Sequence, residues 1–130
     1  MINSEAMKAY QQVKKEGSLQ FADPYNLVLM LMQGAIDKLQ LARGFMMQKN
    51  IEQKGLMISF AISIIDALQS SLDKEKGGEI AGNLFDLYSY SMNELVTANM
   101  ENDLERLDNV ITVIKTIQSG WEQIPDEHKP

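Results

Sequence analysis

The chain has 130 residues, 12 Lys and Arg against 18 Asp and Glu for a formal charge of −6, nine Met, one His and no Cys. This is enough for one modest domain with one core. With no Cys and a single His128 near the carboxy terminus, nothing is left to build a disulfide, a thiol nucleophile, a Ser-His-Asp relay or a two-histidine metal site, and the acidic balance argues against a nucleic-acid partner. The longest apolar run, Leu27 to Met32, is far below the ~20 residues of a spanning helix. The first fifteen residues lack the apolar centre of a signal peptide. The expectation is a soluble, cytoplasmic, non-enzymatic protein with no cofactor, no metal and no membrane insertion.

Residues 1–22 read as a short mobile segment holding at most a short helix around Glu5 to Lys15, ended near Gly17. Asp23-Pro24 pairs an N-cap with proline at the first helical position and opens a helix over about 24–48. Leu27, Leu31, Ala35, Lys38, Ala42, Phe45 and Met46 recur by threes and fours and make its core stripe, with Lys38 as an interruption that must snorkel or sit near the bundle's margin. Asn50-Ile51-Glu52-Gln53 is a capping box that opens a second helix over 51–72, with Met57 or Ile58, Ala61, Ile64, Ile65, Leu68 and Leu72 facing inward. The short connection makes these two helices antiparallel neighbours.

Asp73 to Gly78, ending in Gly77-Gly78, reads as a turn, and a third helix follows over 79–99 on Ile80, Leu84, Leu87, Tyr88, Ser91, Leu95 and Ala98. Asn102-Asp103-Leu104-Glu105 repeats the capping pattern for a fourth helix over 103–121. Seven of the eight residues from Val110 to Ile117 are β-branched, which by propensity suits a strand, but their spacing and the preceding cap favour the helix. Residues 124–130 read as a disordered tail. The predicted fold is all-α, an antiparallel up-down four-helix bundle over 23–123.

One apolar stripe per helix fills such a bundle, and this chain has more. With Leu31 set inward, Leu29 and Met47 point about 160° away, Ile36 about 140°, and Met30 and Met32 about 100° to either side. Phe60 and Ile62 flank the second stripe, and Phe85 and Val96 lie to one side of the third. Scattered exposed apolar residues are ordinary. Methionines on the first hairpin, with unbranched and adaptable side chains, favour a docking groove instead. The candidate partner-binding residues are Met30, Met32, Ile36, Met47, Ile58, Ile62 and Phe85. The carboxylates Asp66, Asp73, Asp86, Asp103 and Glu105 suit solvated faces and caps, and Gly77-Gly78 lacks the Lys and Ser or Thr of a phosphate loop.

Several pieces in order resemble the flagellar secretion chaperones of the FliS type. They are Ala9-Tyr10-Gln11-Gln12-Val13, Asp23-Pro24-Tyr25-Asn26-Leu27, Met30 to Ile36, Asp73 to Ala81, Asn83-Leu84 to Tyr88, Ala98-Asn99, Asp103 and Trp121, so the likeness runs over about residues 6 to 122. Phe60 and Ile62 stand where that family is more often polar. The resemblance implies a cytoplasmic export chaperone that binds the carboxy-terminal segment of flagellin, prevents premature polymerisation and helps deliver it to a protein of the flagellar type III export gate. By matching position it gives Tyr10 a partner contact in the amino-terminal segment. The alternative is a helical-bundle adaptor or a self-associating structural protein, a homodimer through the same apolar residues.

Overall fold

Each helix starts on a short polar side chain that satisfies backbone N–H groups left over at its first turn. In the computed structural model, which describes residues 23–125, Asp23 accepts from Asn26 N at 2.9 Å and opens α1 (Pro24–Met47). Asn50 accepts from Gln53 N at 3.2 Å and opens α2 (Ile51–Ser70). Asp73 accepts from Glu75 N and Lys76 N, both at 3.1 Å, at the head of α3 (Lys74–Glu101). Asp103 accepts from Arg106 N at 3.2 Å and opens α4 (Leu104–Glu122). The amino-terminal segment, with the short helix expected in it and Tyr10, and the end of the tail lie outside the described residues.

Connections of two or three residues make each helix antiparallel to the next. α1 packs on α2 and α4, and α3 packs on α2 and α4, so the four helices close a ring around one core. α1 and α4 are held in antiparallel register from end to end. The Trp121 indole donates to Tyr25 O at 3.0 Å, and the two rings stack 6.0 Å apart at 15°. Arg43 Nε donates to Asp108 at 2.7 Å near the opposite end. That ion pair is roughly two-fifths exposed on both sides, so it sets register more than it stabilises. The β-branched run Val110 to Ile117 is helical, with Val110, Ile111 and Ile114 buried, as tertiary packing overrides local propensity.

The structure corrects the expected phase of two stripes. α1 turns Met32, Ala35, Ile36, Leu39, Ala42 and Met46 inward, whereas Leu31, set as the inward direction, is only half-buried. Apolar residues occur almost all round this helix, so periodicity alone fits more than one inward direction. Lys38 sits at the margin of the bundle, on the flank facing α2, its ammonium 4.6 Å from the centre of the Phe60 ring, a cation–π contact. In α3, Ala81 is buried while Ile80 and Leu87 are 73% and 39% exposed.

Two boundaries also differ from expectation. A helical turn precedes the glycine pair, closed by Gly77 N donating to Asp73 O at 2.8 Å, and the backbone then breaks at Gly78 with φ 54° and ψ −131°. A side chain is strained in that region, and at Gly77 an added Cβ would lie 2.6 Å from that of Ala81. Both glycines are therefore required by the geometry. Asn102 does not start α4. It ends α3 in the left-handed conformation, φ 54°, which Asn tolerates better than most residues, and the capping falls to Asp103.

Candidate docking groove

α2 and α3 are joined along their length by two polar contacts. Near one end the Gln69 amide donates to Phe85 O at 3.0 Å and to Ser89 Oγ at 2.6 Å. Near the other the Lys54 ammonium donates to Asn99 O at 2.9 Å and Asn102 Oδ1 at 3.1 Å. Lys54 is 2% exposed; its charge sits at the carbonyl end of α3, where the helix dipole favours a cation. The register fixed by these bonds brings Ile62 level with Met92 and Ile51 level with Met100.

Between and just beyond these contacts the helices present apolar side chains that no described residue fully covers. Ile51 is 59%, Val96 47% and Met100 79% exposed, and Ile62, Phe85 and Met92 are half-buried. Ile62 and Met92 also pack down on the core, so the floor of the groove is fixed while its rim is open. From Ile51 to Gln69 the groove runs about 27 Å at ~1.5 Å per residue. A helix of about 18 residues would fill it.

The sequence-derived candidates divide. Ile62 and Phe85 belong to this groove. Met47 is exposed at the end of α1, on the side of α4, its sulfur accepting from Arg43 Nη1 at 3.3 Å. Met30 is half-buried on α1. Met32, Ile36 and Ile58 are corrections: at 1%, 3% and 1% exposure they are core, for the phase reason given above in α1 and because Ile58 points beneath the groove. Tyr10 lies outside the described residues.

Sequence reasoning missed Ile51 and Met100, the two most exposed members of the groove. Ile51 was hidden in a capping signal, and Met100 sits in the last turn of a helix expected to end one residue earlier. Leu41 and Leu56, 50% and 53% exposed, form a smaller uncovered patch where α1 meets α2. Their register follows from Lys38 over Phe60. Among the described residues no group of carboxylates and histidines could hold a metal ion, and no helix is long and apolar enough to cross a membrane.

A rigid bundle with an uncovered apolar groove between two of its helices is built as a protein-binding module, accepting a helical or extended segment of another chain. The comparisons give that class its family. The family model described as flagellar protein FliS matches residues 6–128. The chain is 45% identical to the flagellar secretion chaperone FliSB of Pseudomonas aeruginosa over 124 residues, 95% of this chain and 98% of that one. It is 42% identical to the flagellar secretion chaperone FliS of Vibrio cholerae over 123 residues, 95% of this chain and 90% of that one. It is also 42% identical to the flagellar secretion chaperone FliS of Salmonella typhimurium over 125 residues, 95% and 93% of the two chains. The chain belongs to the FliS family of flagellar secretion chaperones, which is non-enzymatic.

Proposed function

We propose that this chaperone holds the carboxy-terminal segment of flagellin in the α2–α3 groove in the cytoplasm, keeps it from polymerising, and releases it to a protein of the export gate. The observation that carries this reading is the apolar stripe of exposed Ile51, Val96 and Met100 over half-buried Ile62 and Met92, in a chain of this family. A segment destined for a helical filament has an apolar face that must stay covered yet releasable. Coupled folding and binding meets both needs, since it typically buries ~1,000–3,000 Å² while losing several kcal/mol to ordering. The bundle itself is already ordered, so the ordering cost falls mainly on the client. Met92 and Met100 tolerate imperfect complementarity because their side chains repack easily.

In this reading Met30 and Met47 lie beyond the groove and extend the contact as the client or the export gate wraps round the bundle, and Tyr10 adds a contact from the amino-terminal segment. The alternative occupant of the groove is a second copy of the chain, which would show as concentration-dependent sedimentation.

The test is capture of purified flagellin by the immobilised chaperone. Full-length flagellin is expected to be retained, and flagellin lacking its last ~40 residues, about two groove lengths of helix, is expected to be lost. Equal retention of both forms contradicts the assignment of the carboxy-terminal segment.

A further inference from the structure

The groove is apolar inside and acidic at its edge. From Gly77 to Glu101 α3 has no Lys, Arg or His and four carboxylates, Glu79, Asp86, Glu94 and Glu101, of which Glu94 is paired with Arg106 of α4. α2 has one cation, Lys54, which is buried under the groove and committed to Asn99 and Asn102. Asp66 lies one turn before Gln69 on the edge of α2 that faces α3. Asp86 lies one turn before Ser89 on α3, whose hydroxyl accepts from Gln69 at 2.6 Å. The two carboxylates therefore stand on opposite lips of the groove, within about one helical turn of the same level. Asp66 is half-buried and Asp86 exposed, and neither has an ion-pair or hydrogen-bond partner among the described residues.

Resting on the proposed occupancy of this groove, we infer that Asp66 and Asp86 steer a client helix whose apolar face is flanked by Lys or Arg. A partner of that chemistry gives each lip a counter-charge and leaves the floor dry. A neutral client gains nothing from the lips, and an acidic one is repelled by both. Charges at a rim act mainly on the rate of encounter and on its dependence on salt, not on how long the complex lives. The inference is thus kinetic: the apolar floor sets dissociation, and the lips set association.

Stopped-flow anisotropy with labelled monomeric flagellin separates these. For the unmodified chaperone the association rate is expected to fall about tenfold between about 50 and about 500 mM NaCl, as screening shortens the reach of the lips. The Asp66→Asn, Asp86→Asn pair is expected to associate at low salt about as slowly as the unmodified protein does at high salt, with an unchanged dissociation rate. A control pair, Glu105→Gln with Glu122→Gln, removes the same charge from exposed positions of α4 and is expected to stay within about twofold of the unmodified rate.

If the control pair slows association as much as the lip pair, net charge and not the groove is responsible, and the inference falls. It also falls if the lip pair keeps the full rate and its salt dependence. Val96→Asp, measured in parallel, tests the groove separately. A faster dissociation there with no effect of the lip pair overturns the steering alone, whereas normal dissociation for Val96→Asp overturns the groove assignment itself.

Discussion

Lys54→Glu is expected to lose more than about 4 kcal/mol of stability, a large part of the roughly 5–15 kcal/mol that holds a domain of this size together. The substituted carboxylate would be buried against Asn99 O and Asn102 Oδ1, the two oxygens that now accept from the ammonium at 2.9 and 3.1 Å. It could donate no hydrogen bond while charged, and it would face the negative end of the α3 dipole. Lys54→Met keeps most of the buried stem and removes only the donor. Its expected cost is about 1–3 kcal/mol, that of leaving buried acceptors unpaired. Urea unfolding followed by far-UV circular dichroism distinguishes the two. Equal stability of all three proteins would show that the ammonium does not hold the ends of α2 and α3 together.

Val96→Asp is expected to weaken flagellin binding about tenfold, and Ile62→Asp at least about a hundredfold, corresponding to roughly 1.4 and 2.7 kcal/mol. Both place a carboxylate that must lose water on contact with an apolar client segment. Ile62 lies deeper and is packed against the core, so its loss in binding is larger and comes with a fall in stability. Val96 is 47% exposed, and the folded bundle keeps its melting temperature when it is replaced, which isolates the effect on binding. Titration of labelled flagellin gives the affinities. The same change at Met32 should unfold the bundle instead, because Met32 is 1% exposed in the core.

Helix starts were the most legible part of the sequence. Asp23 before Pro24 and Asn50 three residues ahead of Gln53 each carry a local signal whose physics involves only neighbouring backbone, whereas the start at Asp73 was hidden by the glycine pair, which read as a turn. The hairpin order followed from short connections, since helices joined by two or three residues have little choice but to reverse. What the sequence left open was rotation about the helix axis. α1 has apolar residues on nearly every side, so Leu31 and Leu39 are equally good centres for a stripe until α2 and α4 are in place. That one ambiguity moved Met32 and Ile36 from the core to the surface.

The groove was legible only in part for the same reason. Ile62 and Phe85 stood out because they flank well-marked stripes, and the structure puts them on facing edges of α2 and α3. Ile51 and Met100 did not, because residues near helix ends carry little periodic signal. The register between α2 and α3 depends on Gln69 and Lys54 reaching across to α3, and no local pattern announces such bonds. The acidic lips are visible in the sequence as a long stretch without cations, but their placement on one groove needs that register.

Site-specific photo-crosslinking tests the location of the client most directly. A photoreactive phenylalanine analogue at Val96, on the α3 side of the groove, is compared with one at Thr116, exposed on the outer face of α4. The expected result is a flagellin adduct from Val96 that maps within the last ~40 residues of flagellin, and none from Thr116. An adduct from Thr116 with none from Val96 would contradict client binding in the α2–α3 groove.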